Sequence, residues 1–258
     1  MSETVTLTLE GPIAQVRLNR PDKGNALDLA SWQALADGFA TINQHRSIKA
    51  VVLSGAGKHF CVGADIDEFE VAYASRVSVD RYFDAVAAAT NTVARCPVPV
   101  IAAIQGACFG GAVGLAVAAD LRVAAPEAKF AITPAKLGLV YPYDDLRRVM
   151  QLLGPARTKD LIFTARTVFA PEAQEMGLVN QMAQDPLSSA LDTAKTIATL
   201  APNAVVNMKR MMADVLAGQQ AETPSHRALI HQAIGGLEYA EGVHAFKTKR
   251  QAQFGDRT

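Results

Sequence analysis

The fold of this chain is decided by one segment, Gln105-Gly106-Ala107-Cys108-Phe109-Gly110-Gly111-Ala112-Val113-Gly114-Leu115. An apolar run from Val98 to Ile104 precedes it and predicts a buried strand, and an Ala-rich helix follows it as far as Asp120. Paired glycines between a strand and a helix leave main-chain N–H groups unpaired at the helix N-terminus. Such groups bind an anion, or a carbonyl oxygen on which negative charge develops.

Gly114, one turn into this helix, is the unexpected residue of the segment. An enzyme that moves protons would be expected to carry a side chain facing the site at this position. The segment therefore predicts a site for an anion or a carbonyl oxygen, and it leaves open which group performs acid–base work.

The composition indicates a globular protein with a substantial core. The chain has 258 residues, of which 50% are hydrophobic and 19% charged, enough for one large domain or two small ones. Lys plus Arg number 25 and Asp plus Glu number 25, so the formal net charge is zero. This balance argues against a nucleic-acid-binding protein that relies on bulk positive charge.

The cysteines and the N-terminal residues favour a cytoplasmic protein. Cys61, Cys96 and Cys108 are odd in number and widely spaced, which argues against a disulfide framework and against a zinc site. Met1 to Glu10 alternates polar and apolar residues and predicts no signal peptide. Cys96 to Ala119 holds no charged residue, but its prolines and glycines predict buried core rather than a membrane span, so no membrane partner is expected.

The pattern of elements predicts an α/β core followed by a helical region. Residues 4–10 and 13–19 alternate around Gly11-Pro12 and predict a β-hairpin, and Asp28 is expected to cap an amphipathic helix. Further strands are predicted at 50–53, 98–104, 121–124 and 129–132, with a helix over 77–94. Beyond Tyr143 only helices are predicted, over 144–153, 155–163, 171–176, 187–200, 202–216 and 226–251.

A second glycine turn suggests a partner for the first. Gly63-Ala64 precedes a helical turn that starts near Asp65, so the N–H of Ala64 and the N–H of Gly111 could together form an oxyanion hole. The alternative is that both turns only permit tight strand-to-helix packing. A dinucleotide-binding loop at Gly55-Ala56-Gly57 is disfavoured, because Phe60 stands where a third glycine is needed.

Several motifs together resemble the crotonase (enoyl-CoA hydratase/isomerase) superfamily. They are Asn19-Arg20-Pro21 with Asn25-Ala26-Leu27, the stretch 57–66, the stretch 99–106 with Gly110-Gly111 and Asp120, Lys136 to Leu139, Ala173 to Val179, and Gly242 to Arg250. The resemblance implies the α/β ClpP/crotonase-like fold, a spiral of ββα repeats that carries the site over residues 1–195. It also implies a helical oligomerisation region over 196–258 and a homotrimer or hexamer.

The resemblance further implies an acyl-CoA thioester as substrate, with coenzyme A as part of the substrate and no covalently bound cofactor. Ala64 and Gly111 would hold the thioester oxygen while an enolate forms. Contacts with the CoA ester are expected from Lys23, Ala26, Leu27, Ala64, Asp65, Ile66, Gly110, Phe246 and Lys249.

Both glutamates that members of this family use for hydration are absent, because they align with Gly114 and Pro134. Isomerisation or other non-hydratase chemistry is therefore favoured over ordinary two-carboxylate hydration. The stretch Phe130 to Tyr141 is similar to methylmalonyl-CoA decarboxylase-like members and implies a decarboxylase alternative that uses Tyr141. A third alternative is a CoA-ester-binding protein without catalysis.

Asp144 and Asp145 allow two interpretations. Some isomerases and a dehalogenase of the superfamily place an essential aspartate in this neighbourhood, which makes Asp145 a candidate catalytic residue. The other interpretation is an exposed cap at the start of the helix that contains Leu146. RNA binding finds no support in the neutral charge, and a peptidase is disfavoured because no serine follows Gly110-Gly111.

Overall fold

The computed structural model describes residues 3–258 and contains two β-sheets. The first has six strands in the order β1-β2-β3-β4-β6-β9, and the second has three strands in the order β5-β7-β8. The strands are β1 Val5–Glu10, β2 Ile13–Leu18, β3 Ala50–Gly55, β4 Val100–Ile104, β5 Ala107–Phe109, β6 Leu121–Ala124, β7 Lys129–Ala131, β8 Val168–Phe169 and β9 Gln181–Met182.

Ten α-helices connect and cover these strands within residues 3–258. They are α1 Leu29–Gln44, α2 Phe69–Ala72, α3 Arg76–Ala94, α4 Gly111–Ala118, α5 Tyr143–Thr164, α6 Ala170–Glu175, α7 Pro186–Ala198, α8 Pro202–Leu216, α9 Pro224–Ile234 and α10 Leu237–Lys247. Short 3₁₀ turns occur at Pro21–Lys23, Ile66–Glu68 and Pro134–Leu137.

Hydrophobic patterning explains the large sheet. The alternating β1 and β2 form the expected antiparallel hairpin, and β2, β3, β4, β6 and β9 then pair in parallel. Every residue of β4 is buried, as expected for a central strand of a parallel sheet that is covered on both faces. The α1 helix is capped by the Asp28 side chain and buries Trp32, Leu35, Phe39 and Ile42, which confirms the predicted apolar face.

The quoted glycine segment is where the chain passes from one sheet to the other. At Gly106 φ is +59°, and a Cβ there would lie 2.5 Å from His59 Nδ1, so only glycine fits. Residues 107–109 then form β5, which pairs in parallel with β7. The sequence predicted only a turn here, because a three-residue strand between glycines is too short to show periodicity.

The helical half of the chain departs from the prediction at two short strands and near the C-terminus. No strand was predicted beyond Tyr143, but β8 and β9 each add an edge strand to a sheet. A single helix was expected over 226–251, but α9 ends at Ile234, and α10 begins at Leu237 and ends at Lys247. The break predicted between 144–153 and 155–163 is present inside α5 at Gly154, where φ is +75° and ψ is 168°, dihedrals that favour glycine.

The C-terminal helices follow the sheet and present apolar side chains to the surface. Met212, Val215, Ile234 and Leu237 are exposed on them. The predicted boundary at residue 195 falls within α7 and stays a prediction, as does the homotrimer or hexamer. No helix within residues 3–258 has the length and apolarity that crossing a membrane requires.

Candidate functional site

Two neighbouring segments bring Ala64 and Gly111 to one cavity. The Cys61 N–H donates to the Ala107 carbonyl at 3.0 Å, and the Phe109 N–H donates to the Cys61 carbonyl at 3.1 Å. A Cβ at Gly63 would lie 2.8 Å from the Phe109 carbonyl oxygen, so glycine permits this approach. The parallel register carries both segments to the same edge, and Ala64 and Gly111 both line the cavity there.

The hydrogen bonds around this edge leave two N–H groups unused. The Gly63 N–H donates to Cys61 Sγ at 3.3 Å, and the Gly110 N–H donates to the Ala131 carbonyl at 2.8 Å. Within residues 3–258 the N–H groups of Ala64 and Gly111 have no acceptor. Because Gly111 is the first residue of α4, its N–H also carries the positive end of the helix dipole.

The N-terminal loop holds the Ala64 segment in place. The Leu27 N–H donates to the Gly63 carbonyl at 2.8 Å, and the Asp65 N–H donates to the Leu27 carbonyl at 2.9 Å. Arg20 donates to the Ala26 carbonyl at 2.7 Å and pairs with Asp65 at 2.8 Å. Three of the residues predicted to contact the CoA ester are buried here, namely Ala26, Leu27 and Asp65. They hold the loop through backbone hydrogen bonds and through the ion pair between Arg20 and Asp65.

Asn25 is a structural residue to which the sequence analysis assigned no role. Its φ is +59°, it is 1% exposed, and its side-chain amide donates to the carbonyls of Ala56 at 2.9 Å and His59 at 2.7 Å. The signal in the sequence was the residue type, because asparagine tolerates the left-handed region better than most residues. Only the fold showed what its amide binds.

The cavity has a volume of about 130 Å³ and is apolar. One wall comes from α1, α2 and α3, and the opposite wall from the stretch 133–142, while Gly63, Ala64, Gly110 and Gly111 lie between them. None of the described residues that line it carries a formal charge. Pro134, one of the two positions where the resemblance predicts a glutamate, is part of the lining.

Gly114 and Asp145 occupy a single space. A Cβ at position 114 would lie 2.5 Å from the carboxyl carbon of Asp145, closer than any real Cβ contact. Asp145 lies in the first turn of α5, which packs against α4. The Asp145 carboxylate of α5 therefore occupies the volume that a side chain at position 114 would fill.

The Asp145 carboxylate is buried and only partly satisfied. It is 1% exposed, and its Oδ1 accepts from Arg148 Nη1 at 3.1 Å. Its Oδ2 makes no hydrogen bond of ordinary geometry in the described part of the chain, and the nearby Thr90 hydroxyl helps to lower the pKa of the carboxyl. Burial raises the pKa of Asp145 to about 6, against the opposing effect of the Arg148 guanidinium.

The cap interpretation of this aspartate pair is wrong for Asp145, because α5 has Pro142 at its N-cap and no side-chain cap. Asp144 is the more exposed of the two, and its carboxylate accepts from Asn91 Nδ2 at 3.2 Å. Asn91 also accepts from Arg148, so it connects Asp144 to the guanidinium that pairs with Asp145.

Tyr141 borders both the cavity and the buried carboxylate. It lines the cavity, is 7% exposed, and its hydroxyl donates to the Gly110 carbonyl at 3.3 Å. Burial, followed by the charge of Asp145, raises the pKa of Tyr141 well above its usual range. The hydroxyl therefore stays protonated at neutral pH.

Of the remaining predicted contact residues, Ile66 lines the cavity, whereas Lys23, Phe246 and Lys249 do not. Lys23 pairs with Asp67 at 2.5 Å, and both side chains are exposed. Ile66 lines the cavity mouth and is 62% exposed. Phe246 is 86% exposed near the end of α10, and Lys249 follows that helix, and neither lines the cavity.

The comparison with protein families identifies the family of the chain that forms this cavity. The model of the Enoyl-CoA hydratase/isomerase family matches residues 8–257. The chain belongs to the enoyl-CoA hydratase/isomerase family. The predicted superfamily and the predicted crotonase fold are thereby confirmed, and the substrates of this family are acyl-CoA thioesters.

Solved structures of the family superpose closely on this enoyl-CoA hydratase/isomerase family member. An enoyl-CoA hydratase/isomerase family protein from Hyphomonas neptunium is 38% identical, with a TM-score of 0.95 and 98% coverage of both chains. An enoyl-CoA hydratase/carnithine racemase from Magnetospirillum magneticum is 37% identical, with a TM-score of 0.94 and coverage of 99% of this chain and 96% of that one.

Curated relatives carry two different reaction names. The human mitochondrial Delta(3,5)-Delta(2,4)-dienoyl-CoA isomerase is 34% identical over 214 residues, which are 76% of this chain and 64% of the human protein. The Mycobacterium tuberculosis protein named Probable enoyl-CoA hydratase echA8 is 31% identical over 259 residues, which are 99% of both chains. The family is therefore firm, and its relatives include an isomerase as well as a protein named as a hydratase.

Proposed function

We propose that this protein is an acyl-CoA isomerase that shifts a double bond within the acyl group through a thioester enolate. The observation that carries the proposal is the carboxylate of Asp145, which is 1% exposed, has an Oδ2 without a hydrogen bond of ordinary geometry and fills the space left by Gly114. Isomerisation needs one group that removes a proton and returns it to another carbon. Hydration in this family uses two carboxylates, and Gly114 and Pro134 supply none.

The enolate would be stabilised by main-chain groups. Ala64 and Gly111 line the cavity and their N–H groups have no acceptor in the described residues, so a thioester oxygen placed between them would accept two hydrogen bonds. When a base removes a proton beside the thioester, the charge moves to that oxygen. One donor of this kind typically contributes about 3–4 kcal/mol to the transition state.

Proton transfer would involve Asp145 and Tyr141 together. A carboxylate with a pKa of about 6 is mostly ionised at neutral pH and still basic enough to take a proton. Asp145 does not itself line the cavity, whereas Tyr141 does and borders Asp145. The Tyr141 hydroxyl would give its proton to Asp145 as it takes one from the substrate, and both transfers would reverse when the proton returns.

The reaction can be identified by mass and isotope content. Purified protein is incubated with enoyl-CoA, malonyl-type CoA and hydroxyacyl-CoA esters in H2O and in D2O. We expect a double-bond shift with unchanged mass in H2O and uptake of solvent deuterium in D2O. Addition of water would indicate a hydratase, and loss of CO2 a decarboxylase.

Two neighbouring aspartates provide a matched test of the base. Asp145→Asn should lower turnover by roughly 100- to 10,000-fold, the usual contribution of general acid–base catalysis. Asp144→Asn, one residue away and more exposed, should retain turnover. Full isomerase activity in a folded Asp145→Asn protein would exclude the proposed mechanism. Tight binding of every ester without conversion would leave a CoA-ester-binding protein.

Decarboxylation of a malonyl-type ester is the second candidate, because Tyr141 lines the cavity while Asp145 does not. Loss of CO2 generates the enolate without a base, so a desolvating cavity and one hydroxyl donor would suffice. This candidate ranks second because no lining residue offers a positive charge to a carboxylated acyl group. Its expected signature is CO2 release that survives Asp145→Asn and fails in Tyr141→Phe.

A further inference from the structure

The cavity beside Ala64 and Gly111 has one wall built from packed aromatic rings. Phe69 and Tyr73 stack with centroids 4.7 Å apart, and Tyr73 and Phe83 are parallel to within 1° at 6.2 Å. Tyr82 stands edge-on to all three, at interplanar angles of 85°, 88° and 87°. Each ring is held by its neighbours, so the wall has a defined shape.

Two of the polar groups of this wall bind each other. Trp32 Nε1 donates to the Tyr82 hydroxyl at 3.3 Å, and both residues are almost fully buried, at 1% and 2% exposure. The rest of the wall is mostly apolar, with the rings of Phe69, Tyr73 and Phe83 and the side chain of Val86. The opposite wall adds Pro134, Leu137 and Leu139.

The volume of the cavity and the absence of charge among its described lining residues limit the ligands that it can hold. Its volume is about 130 Å³. An engineered apolar cavity of about 150 Å³ binds one benzene molecule, which sets the scale. A carboxylate or ammonium would enter without a counter-charge among the lining residues, and an unpaired charge is poorly tolerated in an apolar space.

We propose that the part of the acyl group held in this cavity is uncharged, apolar and about the size of one six-membered ring. This inference rests on the proposed function to the extent that Ala64 and Gly111 hold the thioester oxygen. The aromatic wall would then lie along the acyl group, and Tyr141 at its reacting carbons. Carboxylated acyl groups fall outside the class, and the carbons of a linear chain beyond this size would gain no contact with the cavity.

A neighbouring apolar cavity lies beside the first one. It has a volume of about 330 Å³ and shares Pro134, Leu139, Val140 and Tyr141 with it. Tyr141 is 7% exposed and its hydroxyl is bonded to Gly110, so a chain that passed on its side would have to displace a buried, hydrogen-bonded ring. Val140 is 87% exposed, and an acyl group that entered the second cavity would meet Phe163 there.

Binding of saturated acyl-CoA esters tests the class without requiring turnover. Titration calorimetry is performed with butyryl-, hexanoyl-, cyclohexanecarbonyl-, decanoyl-, dodecanoyl- and malonyl-CoA. Affinity should rise by about fourfold per added methylene while room remains, and then stop rising. We expect hexanoyl- and cyclohexanecarbonyl-CoA to bind most tightly and malonyl-CoA to bind weakest. Affinity that keeps rising through dodecanoyl-CoA, or malonyl-CoA as the tightest ligand, would overturn the inference.

Variants connect the size limit to this cavity. Phe83→Ala removes a ring from the wall and should move the optimum to longer acyl groups. Leu137→Ala should do the same from the opposite wall, and its exposed position, at 59%, makes it safe for folding. Phe163→Ala is the matched control, because Phe163 lines only the neighbouring cavity and is 77% exposed. A shift in Phe163→Ala but not in Leu137→Ala would place the acyl group in the other cavity.

The test also separates this inference from the proposed reaction. If no enoyl ester is isomerised but the size limit persists, the acyl class stands and the reaction fails. If isomerisation occurs with long-chain esters as the best substrates, the reaction stands and the acyl class fails.

Discussion

The first and second turns of α4 serve the candidate site in opposite ways. At Gly111 the backbone provides the functional group, an N–H without an acceptor in the described residues. At Gly114 the missing side chain provides only space, which the Asp145 carboxylate of α5 fills. The position of the Gly111 N–H therefore depends on the register between segments 61–64 and 107–111. The position of the Asp145 carboxylate beside Gly114 depends on how α5 packs against α4.

This difference predicts that the two positions tolerate substitution differently. A backbone donor survives most side-chain changes, because strand pairing and the helix start determine its direction. A carboxylate placed in a gap left by glycine depends on both residues together. We therefore expect position 111 to tolerate a side chain and to be sensitive only to loss of its N–H, whereas position 114 should tolerate no side chain.

Gly111→Pro should have the largest effect, because it removes one of the two donors. We expect turnover to fall by roughly 100- to 1,000-fold, the usual effect of losing an oxyanion-hole donor. Proline is well accepted at the first position of a helix, so the fold should persist. Steady-state kinetics and circular dichroism would measure the two properties.

Gly111→Ala is the matched control for that donor. It keeps the N–H, and its Cβ would lie 3.4 Å from Trp32 Cζ2, a contact that a small shift of the ring relieves. Turnover close to that of the parent protein is expected. Equal loss in the alanine and proline variants would show that the cavity shape, not the N–H, matters at this position.

Gly114→Ala should destabilise the fold by about 1–3 kcal/mol, because its Cβ overlaps the Asp145 carboxylate. In an ordinary helix the same change stabilises by up to about 1 kcal/mol. The cost should therefore shrink when Gly114→Ala is made in an Asp145→Ala background, where only the Cβ of residue 145 remains, 3.1 Å away. Urea unfolding of the four proteins in this cycle measures the coupling, and additive effects would disprove the shared space.

The pH dependence of stability reports on the same carboxylate. The pKa of Asp145 is about 6 in the folded protein, above its ordinary value of 3.8. The native state thus binds an additional proton between roughly pH 4 and pH 6, and the free energy of unfolding falls as pH rises through that window. The free energy of unfolding should fall by on the order of 1.4 kcal/mol per unit of pKa difference. Above the window the contribution of Asp145 should no longer change with pH.

Asp145→Asn isolates this contribution from those of other carboxylates. The difference in unfolding free energy between parent and variant should follow the titration of one group near pH 6. The activity of the parent should rise through the same pH range as the carboxylate ionises. A pH-independent difference in stability would mean that Asp145 does not titrate there.

Asp144→Asn should have the smallest effect. The charge of Asp144 contributes to the raised pKa of Asp145, so its removal should move the activity midpoint slightly to lower pH. Asp160→Asn, on the same helix but paired with Arg166 by a hydrogen bond of 2.7 Å, should leave the midpoint unchanged. A shift to higher pH in Asp144→Asn would contradict the described electrostatics.

The sequence located the hairpin, the buried strands and the capped α1 helix, because their periodicity or capping residues are local signals. It missed β5, β8 and β9, because strands of two or three residues are too short for a pattern. The long C-terminal helix was split at Gly235-Gly236, a pair whose consequence depends on what each half packs against.

The sequence by itself determined the family, the place of the two glycine turns and the absence of both hydratase glutamates, since these are properties of residue type and order. Only the tertiary structure decided that Asp145 is buried and that its carboxylate occupies the space beside Gly114. The two residues are far apart in the chain, and their contact is set by the packing of α4 against α5. No local sequence pattern predicts this contact, because the Asp145 carboxylate can take its place only where residue 114 has no side chain.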